Sequence, residues 1–113
     1  MTEPGDSEGR LPAHLEVSGL LRRVQQAGGF AAVLAKGEPE AGTILVVLAD
    51  RGTGSRAFER MPVPSGERRW TLAREADPAH PGAFAEWLDR RQGQDPDLWI
   101  IELDIPQGER FIP

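Results

Sequence analysis

Carboxylates and arginines are the residues here whose types and spacing lend themselves to chemistry. Glu102 and Asp104 stand two apart, and Asp95 and Asp97 come just before them. Carboxylates that converge can hold a hard divalent cation or divide general-acid and general-base work between them. One strand brings only two of them to a single face, so a solvated strand end is the simpler reading. The arginines fall in pairs: Arg22-Arg23, Arg68-Arg69 and Arg90-Arg91. A guanidinium grips carboxylate or phosphate through two parallel hydrogen bonds. Gathered in one pocket, Arg22, Arg23, Arg69 and Arg91 would recognise a small anion, with Asp97 or Glu102 as acid or base. Taken singly, the pairs are solvated faces. Arg91 is a special case, because it falls one turn after Trp87 and Leu88. Its stem is expected to snorkel over the core edge; the alternative is a head that meets a carboxylate such as Glu102.

The other reactive types offer less. His14 and His80 lack a metal-ligand spacing, and Asp77 is placed to hydrogen-bond His80 at a helix start. Gly52-Thr53-Gly54-Ser55-Arg56 has the flavour of an anion cradle but opens no helix, and reads as a hairpin turn. No serine sits in a nucleophile motif, and there is no cysteine. Disulfides and thiolate chemistry are thereby excluded, which fits a reducing compartment. Trp70, Trp87 and Trp99 read as core bulk. No catalytic residue, metal site or cofactor is expected.

These side chains must be carried by a scaffold. Val17, Leu20, Leu21 and Val24 share one helical face, closed by Gly28-Gly29. Either Ser18 caps this helix or it begins near Pro12. Phe30 to Lys36 reads as a strand. With the turn Gly37–Gly42 and the strand Thr43–Ala49, it is expected to form a hairpin. Arg56–Met61 and Arg69–Ala73 continue the meander, each with one wet and one dry face. A second helix follows Asp77–Pro81, with Phe84, Trp87 and Leu88 on one face, and stops at Gly93 and Pro96. The last strand spans Asp97–Ile105. The strands at 43–49 and 97–105 are apolar on both faces, so each face needs cover.

The fold class expected is α+β: a mainly antiparallel sheet of about five strands, in the order helix, four-strand meander, helix, strand. Residues 1–10 read as a tail and residues 11–113 as one domain. If both helices share one face, Leu98 and Ile100 stay bare on the other and mark an interface. We take that arrangement as the expectation, and with it a dimer or another protein as partner. The net charge of −5 argues against nucleic acid. No apolar run has the length of a membrane span, and no secretory leader is legible.

The segments Leu11–Arg23, Gly28–Val33, Glu40–Gly42, Asp95–Glu102 and Arg110-Phe111 together resemble a small bacterial family, the domain of unknown function 1491. The resemblance runs from about Arg10 to Ile112. It implies a short cytoplasmic bacterial protein and brings no activity, cofactor or catalytic residue. The resulting expectation is a non-catalytic protein-interaction or regulatory module. The alternative is a small anionic-ligand binder, or a small enzyme, built on the arginines.

Overall fold

A computed structural model describes residues 11–112. The expected tail, residues 1–10, lies outside them. The elements follow in the order α1 (Ala13–Gln26), β1 (Phe30–Ala35), β2 (Ile44–Asp50), β3 (Thr53–Pro62), β4 (Arg68–Glu75), α2 (Ala83–Gln94) and β5 (Trp99–Asp104), and a 3-10 turn at Gly108–Phe111 comes last. The class is the α+β expected.

Pro12, not Ser18, stands at the start of α1. Its fixed φ suits the position, and it has no N–H to leave unpaired. Ser18 lies inside the helix, where its hydroxyl donates to the His14 carbonyl one turn back (2.9 Å). At the other end the Gly28 amide donates to Gln25 and the Gly29 amide to Val24 (3.1 and 2.9 Å). With Gly28 at φ 91°, this double bond pattern closes the helix as glycine allows.

The sheet order is β1-β5-β2-β3-β4. The pairing of β2 with β5 is parallel; all the others are antiparallel. This corrects the expected hairpin of the first two strands. The meander comprises β2, β3 and β4 only, and β5 is inserted between β1 and β2. The physical reason lies in both-sided apolarity. Strands buried on both faces belong at the centre of a sheet, and parallel pairs are the ones usually covered on both faces. All of Ile44–Ala49 is buried, as are Trp99, Ile100, Ile101 and Leu103.

The two helices take opposite faces. Val17, Leu20 and Val24 of α1 close over Ile44, Val46, Leu48, Trp99, Ile101 and Leu103. Ile112 docks on this face too, with Phe111 packed against it. On the reverse side, Phe84, Trp87 and Leu88 of α2 lie over Leu45, Val47, Ala57, Leu98 and Ile100. The expectation that both helices share a face is therefore corrected. Leu98 and Ile100 are 1% and 2% exposed, so neither is bare. Each fully buried side chain of this size contributes roughly 1.5–3 kcal/mol of transfer free energy.

Two consecutive residues of β3 fasten the two layers. Successive strand side chains point to opposite faces. Arg60 reaches the α1 side and binds Glu16 through two hydrogen bonds (2.8 and 2.9 Å). Glu59 reaches the α2 side and accepts two from Arg91 (2.7 and 2.6 Å). Each guanidinium also lies over an indole, Arg60 on Trp70 (4.8 Å) and Arg91 on Trp87 (5.5 Å). Arg91 thus has a paired head, and its partner is Glu59, not Glu102.

Candidate functional site

The two edges of the sheet differ in kind. β4 carries Arg68, Arg69, Arg74 and Glu75. Charges of this sort blunt an edge against further pairing. β1, with the sequence Phe-Ala-Ala-Val-Leu-Ala, carries no charge and no proline. Among the described residues it pairs with β5 alone, so one row of its backbone N–H and C=O groups has no strand partner there. Phe30, Val33 and Leu34 are 61%, 42% and 49% exposed. Three of the large apolar side chains left in water thus belong to one six-residue strand.

The register places these side chains. Phe30 lies opposite Asp104 and Ala32 opposite Glu102, on the α2 face. Ala31 and Val33 lie opposite Leu103 and Ile101, on the α1 face. The register then shifts between Val33 and Ala35. This bulge brings Leu34 beside Leu88 and Asp89 of α2, and it leaves Phe30–Val33 regular.

The arginines do not converge. Arg22 and Arg23 are exposed on α1. Arg69 sits on β4, 3.6 Å from Glu67. Arg91 is committed to Glu59 on the α2 face, which holds its proton above the ordinary guanidinium pKa, with burial opposing. Of the carboxylates, Asp104 has structural partners. Asp104 accepts the amides of Arg51 and Gly52 (2.6 and 2.8 Å). It thereby steadies a tight β2–β3 turn in which both residues have positive φ. The Glu102 side chain lies part-buried beside Ala32 and Val47. Asp97 is exposed, and its backbone carbonyl is the group in use, accepting the Glu38 amide (3.0 Å).

His80 meets Asp77 at 3.0 Å. The Ala79 amide and this ring hold the Asp77 carboxyl below its usual range. Glu109 is lowered likewise, by its own backbone amide and then by Arg56. Among the described residues no three metal-ligating side chains come together, and no helix is long and apolar enough to cross a membrane.

A cleft of about 400 Å³ opens between the start of α1, residues 40–44 and β3. Glu16, Glu40, Arg60 and Arg68 are on its walls. Arg60 is occupied by Glu16, and Arg68 donates to the Arg60 carbonyl (3.0 Å). The amides of Ala13 and His14 at the helix start are taken by the Glu40 and Pro39 carbonyls (3.0 and 2.9 Å). The two arginines and the helix-start amides of the cleft are thus already engaged.

Sequence reasoning paired β1 with β2 instead of β5 and did not single out the exposed edge at Phe30, Val33 and Leu34. The available signal was the lack of any charge from Phe30 to Ala35, in contrast with Arg68–Glu75. It also missed Glu16, Glu59 and Arg60, of which the last two are adjacent opposite charges inside a strand.

Solved structures of similar shape fit this geometry. A crystal structure of a DUF1491 family protein from Caulobacter crescentus CB15 is 31% identical, with a TM-score of 0.77, over 90% of this chain and 94% of that one. An NMR structure of a DUF1491 family protein from the same organism is 30% identical, with a TM-score of 0.75, over 90% and 92%. The solution structure of protein Atu0922 from A. tumefaciens is 32% identical, with a TM-score of 0.73, over 91% and 92%. No curated protein matches the chain. The family model for a protein of unknown function, DUF1491, matches residues 11–113, and the chain belongs to that family.

Proposed function

We propose that this chain is a small cytoplasmic protein-interaction module, without catalytic activity of its own, that receives an extended segment along β1. The carrying observation is the bare edge: an uncharged strand with one unpaired row of backbone groups and three exposed apolar side chains. Strand addition uses these two features together, the backbone for affinity and alternate side chains for specificity. The charged opposite edge supports the choice of β1 over β4. So does the scatter of the arginines, which leaves no concave cationic pocket for the anionic-ligand alternative. Several side chains suited to chemistry are already engaged: Asp104 holds a turn, Glu59 holds Arg91, and Asp77 holds His80.

The test is a titration of the protein with extended, uncharged, β-prone peptides, followed through backbone amide shifts. Shifts are expected at residues 30–35 and their β5 neighbours. Val33→Lys puts a charge on the edge and is expected to weaken binding by at least about tenfold, or 1.4 kcal/mol. Leu72→Lys on the far edge should leave it unchanged. Peptide shifts confined to the cleft would sink the reading. So would a rise of several degrees in melting temperature with phosphate or nucleotides, since a ligand that prefers the native state stabilises it.

A further inference from the structure

We infer that the segment received by β1 is β1 of a second copy of this chain, set antiparallel about a two-fold axis at Ala32. This rests on the strand-addition reading and names the occupant.

The strand is complementary to itself in that register. Counting outward from Ala32, Phe30 of one copy falls opposite Leu34 of the other, and Ala31 opposite Val33. Phe30 and Leu34 both lie on the α2 face. Ala31 and Val33 both lie on the α1 face. Each pair therefore meets on one side of the joined sheet, as cross-strand contacts require. The sizes match as well. The aromatic ring meets a branched aliphatic chain, valine meets alanine, and the small Ala32 side chains meet at the axis. All three exposed large side chains of the edge find a partner without any change within the protomer. The irregularity at Leu34 touches only the outer pair and leaves Ala31–Val33 regular.

Charge points the same way. The edge itself adds no repulsion between two copies of net charge −5. Lys36, the only lysine in the chain, follows β1 directly and is exposed. Four residues from the axis, it is carried toward Gly28 of the second copy, where α1 ends. A helix C-terminus is the negative end of the backbone dipole and favours a cation. Because the axis is two-fold, this contact forms twice. A five-residue ladder, Phe30–Leu34, with three large apolar side chains per copy covers less than the roughly 800 Å² per partner of a standard interface. The dimer is accordingly weak, and the separated protomer stays folded.

The chain contains no cysteine, so a single introduced thiol reports the axis cleanly. Ala32→Cys places two thiols directly opposite each other, at the cross-strand spacing from which a disulfide forms. Under mild oxidation this variant is expected to become a covalent dimer at least about tenfold faster than Leu72→Cys on the β4 edge, a ratio equal to 1.4 kcal/mol. Adding Val33→Lys to Ala32→Cys should abolish the difference. Sedimentation of the unmodified chain from micromolar to millimolar should show mass rising toward twice the protomer. Equal cross-linking of the two cysteine variants, or a constant protomer mass, would overturn the assignment. If peptides still dock on β1 in that event, only the occupant is wrong. If they do not, the strand-addition reading falls with it.

Discussion

Replacing Gly42 with alanine is expected to lower the melting temperature by on the order of 10 °C. The cause is the topology. Because β5 lies between β1 and β2, the connection from residue 36 to 43 must cross the start of β5 to reach the far side. It does so in close contact. A methyl group at Gly42 would overlap the Asp97 carbonyl and approach the Glu38 carbonyl at 2.7 Å. A methyl at Gly37 would overlap the same Asp97 carbonyl. These obstacles are backbone, and the backbone is committed: the Glu38 amide donates to Asp97 O, and the Trp99 indole donates to Glu38 O (3.0 and 2.8 Å). No flexible side chain can yield. A forced overlap in a packed region costs roughly 1–3 kcal/mol and more where relaxation is blocked, so about 3 kcal/mol is expected. Gly93→Ala supplies the contrast. It sits in α2 with nothing within 4 Å, and the gain in helix propensity should raise stability by up to about 1 kcal/mol. Scanning calorimetry of both variants checks this. A Gly42→Ala protein that melts within a degree or two of the parent would mean the crossing is not tight.

That crossing also shows where the sequence stops being legible. Both helices and all the strands could be found from periodicity and breakers, because those are local properties. The both-sided apolarity of residues 43–49 and 97–105 correctly marked the interior of the sheet. What it could not convey was that the two strands are neighbours to each other. Parallel pairing of β2 with β5 joins residues about half the chain apart, such as Ile44 and Trp99, and no local turn records it. Gly37–Gly42 reads as a hairpin turn by composition, yet its glycines serve close approach to Asp97 instead. Once that neighbour was misplaced, the rest followed. β1 was expected beside β2 and lies beside β5, and Leu98 and Ile100 were expected bare where α2 covers them. The C-terminal Phe111-Ile112 has no periodicity to place it, yet Ile112 is buried on the α1 face with Phe111 packed against that cluster. The segments that carry the family resemblance become intelligible together. Leu11–Ala13, Glu40–Gly42 and Asp97–Trp99 meet at one end of the sheet, joined by the Ala13-to-Glu40 hydrogen bond and the Gly42–Asp97 contact.

Arg91→Met is the second substitution with a large expected effect, a loss of about 1–3 kcal/mol and several degrees in melting temperature. Methionine keeps the apolar stem, so a residue that merely snorkels would tolerate the change. Here it removes the guanidinium and leaves the Glu59 carboxylate, only 15% exposed, without its two hydrogen bonds. A partly buried charge stripped of its partner costs far more than the intact pair contributes. The double variant Glu59→Met/Arg91→Met should therefore recover most of the loss, because neither charge is then stranded. The cycle of two single variants and the double isolates that coupling. The α2 helix should feel the change most. None of its residues is fully buried, in contrast to the four of α1, so the bidentate clamp to β3 does much to set its position. Amide exchange in Ala83–Gln94 should accelerate in Arg91→Met while Ala13–Gln26 holds its protection. Unchanged melting and unchanged exchange would reduce the clamp to a surface ion pair and return Arg91 to the role of an apolar stem.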